Sequence, residues 1–189
     1  MNDADELALL QTVRLKGRIG RAELTGPVDD CVVAGLLVDA PMVRLTDAGR
    51  ARLVELLADE RVVVDHDAAD RVYERFLVVN GGVKPLISQW QLTRDAAGPD
   101  DVTAVLDRLD ELHRQVVPVV TAASELVPRL GTYTERLDGA LRRARDGDMS
   151  WLTRPMVDSY HTVWFELHEE LIGLAGRTRA TEAESGSGG

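Results

Sequence analysis

The chain has 189 residues, 44% of them hydrophobic, which suits one or two small domains with cores of their own. Twenty-two basic against 32 acidic residues leave a net charge of -10, which repels a phosphate backbone at long range and disfavours bulk coating of nucleic acid unless the cations gather on one face. The single cysteine, Cys31, excludes an internal disulfide and any multi-cysteine zinc site, and reads as a small core residue.

The opening MNDADELA is acidic and carries no apolar stretch after basic residues, and no run of 18 apolar residues occurs. The expectation is a cytoplasmic protein with no membrane contact and no cofactor. Residues 4 to 16 carry Leu7, Leu10, Val13 and Leu15 ahead of Gly17, the pattern of an amphipathic helix with a glycine stop. A short helical turn through Gly20 to Leu24 follows, and Thr25-Gly26-Pro27 breaks the chain before a third helix over Val28 to Leu37. Asp29 and Asp30 in its first turn suit the positive helix N-terminus. Met42 to Leu45 reads as a short strand, and Thr46 opens a helix carrying Leu53, Leu56 and Leu57.

Three helical segments, an extended piece and a fourth helix are the order of a winged helix. The stretch VVAGLLVDAPMVRLTDAGRARLVELL resembles the end of the recognition helix, the wing and the following helix of MarR-like regulators, with Leu45 to Arg50 matching their LTxxG segment. The resemblance implies that Thr46 caps the helix after the wing. It covers about 60 residues and speaks to fold more than to function, because winged helices also serve as protein-interaction modules. The third helix departs from a DNA reader: VDDCVVAGLL offers two aspartates and no basic or amide side chain to base edges. Arg14, Arg18, Arg21, Arg44 and Arg50 could still clamp a phosphate backbone, although residues 1 to 61 hold 8 basic and 11 acidic groups, net -3.

The run Val62 to Asp65 reads as a short strand or a linker and marks the boundary of a first domain at residues 1–61. Beyond it, residues 66–180 read as a bundle of four or five helices, so the fold class is mainly α. The helix from Asp67 is expected to loosen at Asn80-Gly81-Gly82 and to restart at Lys84-Pro85; Thr93 to Asp101 is a loop. A helix over Asp101 to Leu126 contains Pro118, which predicts a kink, and Pro128 starts another that ends in Arg142, Arg143 and Arg145 before Gly147. The polar residues 181–189, TEAESGSGG, read as a disordered tail.

The strongest pattern lies in Met156 to Ala175. Tyr160, Trp164, Leu167, Leu171 and Leu174 form one helical stripe, His161, Phe165, His168 and Ile172 a second, and four of the eight aromatics of the chain fall at Trp151, Tyr160, Trp164 and Phe165. Tyr160, Trp164, Leu167 and Leu171 are therefore the expected core of the bundle or of a dimer. Glu166 and Glu170, four apart, read as a solvated face.

Two carboxylate–imidazole pairs at i and i+3, Asp110 with His113 and Asp158 with His161, have the spacing that binds metals in di-iron bundles, with Glu74 and Glu135 as the carboxylates still required. Local pairing of boundary histidines is the simpler account, so no metal is expected. The segments VYERFLVVNGGVKPLISQWQL and MVDSYHTVWFELHEELIGLAGRTRA resemble a helical region of short, pyruvate phosphate dikinase-like, phosphoenolpyruvate-utilising proteins of actinobacteria. That resemblance implies an accessory role, since the phosphohistidine segment and nucleotide-grasp elements of those enzymes are absent, and it carries over no catalytic residue.

The expected function is thus a non-catalytic regulatory or adaptor protein that recognises a protein partner, with a phosphoenolpyruvate-utilising phosphotransferase as the implied partner class. A dimeric MarR-like DNA-binding regulator is the alternative, and a metal-binding bundle enzyme the third reading.

Overall fold

The computed structural model describes residues 2–177; the expected tail at 181–189 lies outside them. The chain divides between Val64 and Asp65 into two compact units.

The first unit runs α1 (Asp3–Lys16), β1 (Ile19–Gly20), a 3-10 turn (Arg21–Glu23), α2 (Val28–Val33), β2 (Met42–Val43) and α3 (Asp47–Val62). Asn2 caps α1 by accepting the Asp5 amide at 2.8 Å, and Gly17 closes it at φ 70°. The strands pair antiparallel, Ile19 with Val43 and Gly20 with Met42, and a bridge joins Leu37 to Leu45. Leu7, Leu10 and Val13 of α1 meet Cys31, Leu37, Val43, Leu53 and Leu56 in one core.

The third helical segment is shorter than its apolar run suggests. α2 stops at Val33 because Gly35 turns left-handed at φ 72°, and the Leu36 and Leu37 amides fold back onto the Cys31 carbonyl. The freed Leu37 then bridges to Leu45. Of the two readings of Val62 to Asp65 the strand fails: α3 continues to Val62, and a short turn over 63–64 leads to Asp65.

Thr46 does two things at the start of α3. Its hydroxyl oxygen accepts the Gly49 amide at 2.9 Å, capping the helix, and its hydroxyl donates to the Gly35 carbonyl at 2.7 Å. A Cβ on Gly49 would collide with the Leu36 carbonyl oxygen. The threonine and the glycine three residues on thus lock the first turn of α3 against the backbone leaving α2.

The second unit is built from α4 (His66–Thr93), α5 (Pro99–Leu126), α6 (Thr132–Arg145) and α7 (Tyr160–Leu174), with 3-10 turns at Arg94–Ala96, Pro128–Gly131 and Met149–Leu152. α4 packs on α5 and α7, and α6 on α5 and α7, which closes a bundle-like ring of four helices. No helix among the described residues is long and apolar enough to cross a membrane.

α5 starts at Pro99, two residues before the expected Asp101, and the helix expected from Pro128 opens as a 3-10 turn before α6; two differences are larger. α4 runs unbroken through Asn80-Gly81-Gly82 and Pro85, some 28 residues, roughly 40 Å at 1.5 Å per residue. Tertiary partners override the local breakers. Asn80 is buried and its Oδ1 accepts the Trp164 indole N–H at 2.9 Å, while a Cβ on Gly82 would stand 2.6 Å from Leu112 of α5. Pro85 is exposed, so the Gly81 carbonyl it cannot bond faces water. α7 begins at Tyr160 rather than Met156: Met156 is left-handed at φ 63°, and Ser159 caps the helix through the Thr162 amide. Tyr160, Trp164, Leu167 and Leu171 are all buried in the second unit.

Gly49→Ala should destabilise the first unit by roughly 2 kcal/mol through the overpacked Leu36 carbonyl. Burial, reinforced by the carboxylates of Glu6 and Asp30, pushes the Cys31 thiol up to about 11, so in the folded unit it is inert. Labelling of Cys31 by a thiol reagent under native conditions should therefore report opening of this unit, and should run about thirty-fold faster in the variant.

Candidate functional site

In the first unit, α2 is anchored by Val28 and Cys31 and turns Asp29, Asp30, Val33 and Ala34 outward. Val33 is 90% exposed. Arg21, in the 3-10 turn before α2, does not add positive potential here, because its guanidinium is shared between Asp29 and Asp39. The exposed side of α2 is therefore acidic with an apolar spot.

The other cations are divided between two situations. Arg50 bonds Asp47 and the Leu45 carbonyl, and Arg52 is held by Glu6, Asp3 and Glu55, tying α1 to α3. Arg14 hydrogen-bonds Gln11 from its Nε at 2.9 Å. Arg18 and Arg44 are exposed, each next in sequence to a residue of the Ile19–Val43 pair. The structure thus joins Arg21 to Asp29 and uses Arg50 locally.

In the second unit, the two carboxylate–imidazole pairs are drawn into separate networks. Asp110 pairs with Arg145. His113 is buried, its Nε2 2.7 Å from Asp138 Oδ1 and its Nδ1 3.3 Å from the Tyr160 hydroxyl. Asp158 takes two hydrogen bonds from Arg136, at 2.8 and 3.0 Å, and His161 is exposed, as are Glu74 and Glu135. Among the described residues no group of three or more His, Cys, Asp or Glu is gathered in a way that could hold a metal ion.

Glu166 and Glu170 correct the expectation of a solvated face: they are 3% and 5% exposed. Glu166 pairs with Arg136, and Glu170 accepts from Arg129 at 2.7 Å and from the Tyr133 hydroxyl at 3.4 Å. Burial works against the Arg136 charge, but Asp158 and Glu166 outweigh it and hold the guanidinium more firmly protonated than usual. Burial, with the Glu170 carboxylate beside it, pushes the Tyr133 hydroxyl up, so it stays a neutral donor. The spacing of Arg129, Tyr133, Arg136 and Leu137 carried the signal for this network: the arginines stand on the same face as the aromatic and the leucine.

No family model, curated protein or solved structure matches the chain.

Arg136→Ala should leave Glu166 buried without its partner and lower the stability of the second unit by roughly 3–5 kcal/mol in urea unfolding. Replacing Arg136 and Glu166 together by leucine should recover most of that loss. Equal losses in the single and double variants would show that the pair does not carry it.

Proposed function

We propose that the chain is a non-catalytic regulatory or adaptor protein whose first unit is a winged helix of the MarR-like kind turned to protein recognition. The fold part of the reading is supported by the order of α1, α2 and α3 around the two-strand ladder, and by the Thr46 cap with Gly49 against Leu36.

One observation carries the functional part. Where a DNA reader would offer bidentate donors to base edges, α2 offers Asp29, Asp30 and Val33, and its neighbour Arg21 is already neutralised. An acidic surface around an exposed valine suits a basic protein patch with an apolar centre. A phosphoenolpyruvate-utilising phosphotransferase is the first partner class to test.

The second reading, a dimeric DNA-binding regulator, is favoured by Arg18 and Arg44, two exposed arginines flanking the Ile19–Val43 pair of the ladder. The metal-binding enzyme has no comparable support, since Asp110 and Asp158 are engaged by arginines.

Capture from native extract, with and without nuclease, separates the two. The expected result is a nuclease-resistant protein partner whose retention falls about ten-fold or more with the Asp29→Lys, Asp30→Lys double variant. Enrichment of a specific DNA, lost in Arg18→Ala with Arg44→Ala and weakening steeply with salt, would replace the adaptor by the DNA reader.

A further inference from the structure

The second unit carries a pocket of about 360 Å³ between α5 and α6, at the small end of the range of roughly 300–1,000 Å³ typical of ligand sites. α5 contributes Asp110, His113 and Arg114, and α6 contributes Asp138, Arg142 and Arg145, with Leu141 as the apolar wall. Three guanidiniums against two carboxylates give an excess of one positive charge, His113 not counted, in a chain whose net charge is -10.

Most of these groups are already committed. Arg145 is fixed to Asp110, Arg114 to Glu111, and Asp138 Oδ1 to His113. Besides the second oxygen of Asp110, which is buried with no hydrogen-bond partner among the described residues, two functional groups of α6 are left over. Arg142 is exposed and has no hydrogen-bond or ion-pair partner among the described residues. The Asp138 side chain is 50% exposed, and its second oxygen is likewise without a partner among them. The two stand four apart on α6, the spacing at which a carboxylate and a guanidinium commonly pair across one helical turn, yet they do not pair; His113 holds the carboxylate instead.

A donor fork and an acceptor oxygen on adjacent turns of one wall define a ligand that is anionic at one atom group and a hydrogen-bond donor at the next. We propose that this pocket binds a small α-amino or α-hydroxy carboxylate, with its carboxylate on Arg142 and its amine or hydroxyl on Asp138. Guanidinium–carboxylate pairing supplies orientation as well as attraction, and Leu141 with the arginine stems covers a short aliphatic side chain. The inference is independent of what the first unit recognises. The floor of the site connects onward: His113 touches the Tyr160 hydroxyl, and Tyr160 is fully buried on α7, so ligand on Asp138 pulls on a contact of the central helix.

Isothermal titration of the full chain with L-alanine, L-serine and L-lactate, and with acetate and inorganic phosphate as controls, tests the assignment. At least one acid bearing an amine or hydroxyl should bind with a Kd of about 1 mM or tighter, and acetate about ten-fold more weakly. The amine and hydroxyl arms tell the two ligand classes apart. Arg142→Ala should weaken binding about ten-fold or more, and Asp138→Asn should erase the preference over acetate; circular dichroism checks that both variants fold. The assignment is overturned by no binding from any of the three acids up to about 10 mM, by acetate or phosphate binding as well as they do, or by affinities unchanged in both variants.

Discussion

Two carboxylates buried in an apolar helix decide how the second unit assembles. On α7, Glu166 and Glu170 lie among Tyr160, Val163, Trp164, Leu167 and Leu171. Each would cost several kcal/mol to bury as a bare ion, so α7 can dock only where Arg136 and Arg129 wait. The same helix makes directional polar contacts with its other neighbours, Trp164 to Asn80 and His168 to Tyr73 of α4 and Tyr160 to His113 of α5. Apolar area supplies the bulk of the attraction, while these contacts select one docking among the many that a leucine-rich stripe would accept.

The first unit is secured differently. Its core is small, and its precision comes from backbone: the Thr46 hydroxyl joins the Gly35 carbonyl to the first turn of α3, and Gly49 lets that turn rest on Leu36. Its surface charges largely cancel in pairs, Arg21 with Asp29 and Asp39, Arg52 with Glu6 and Asp3. A count of arginines therefore overstates the positive surface, and the acidic side of α2 stands out all the more.

What the sequence made legible were the features encoded within a few residues: the α1 stripe, the Thr46 cap, the start of α5 within two residues of Asp101, and the buried Tyr160–Leu171 row. The misreadings came from partners distant along the chain. Asn80-Gly81-Gly82 reads as a break until Trp164, 84 residues away, binds Asn80. Leu36-Leu37 reads as more helix until Leu45 takes Leu37. Glu166 and Glu170 read as a wet face because carboxylates four apart usually are one, and only Arg129 and Arg136 reverse that. In the surface of the first unit, the identity of the exposed α2 residues was legible, but the neutralisation of Arg21 by Asp39, 18 residues on, was not.

The spacing of the buried pairs has one more effect. Arg129, in the 3-10 turn before α6, and Arg136, on α6, are seven residues apart, whereas Glu166 and Glu170 are four apart, and the pairing runs in opposite directions along the two segments. Two scales with different divisions coincide at one setting only, as on a vernier. Sliding α7 by a helical turn would bring one glutamate to an arginine and strand the other in the core, although the leucines alone would barely register the shift. The chain thus carries its own gauge of alignment, and a bundle assembled one turn out of place is rejected by a single unpaired charge.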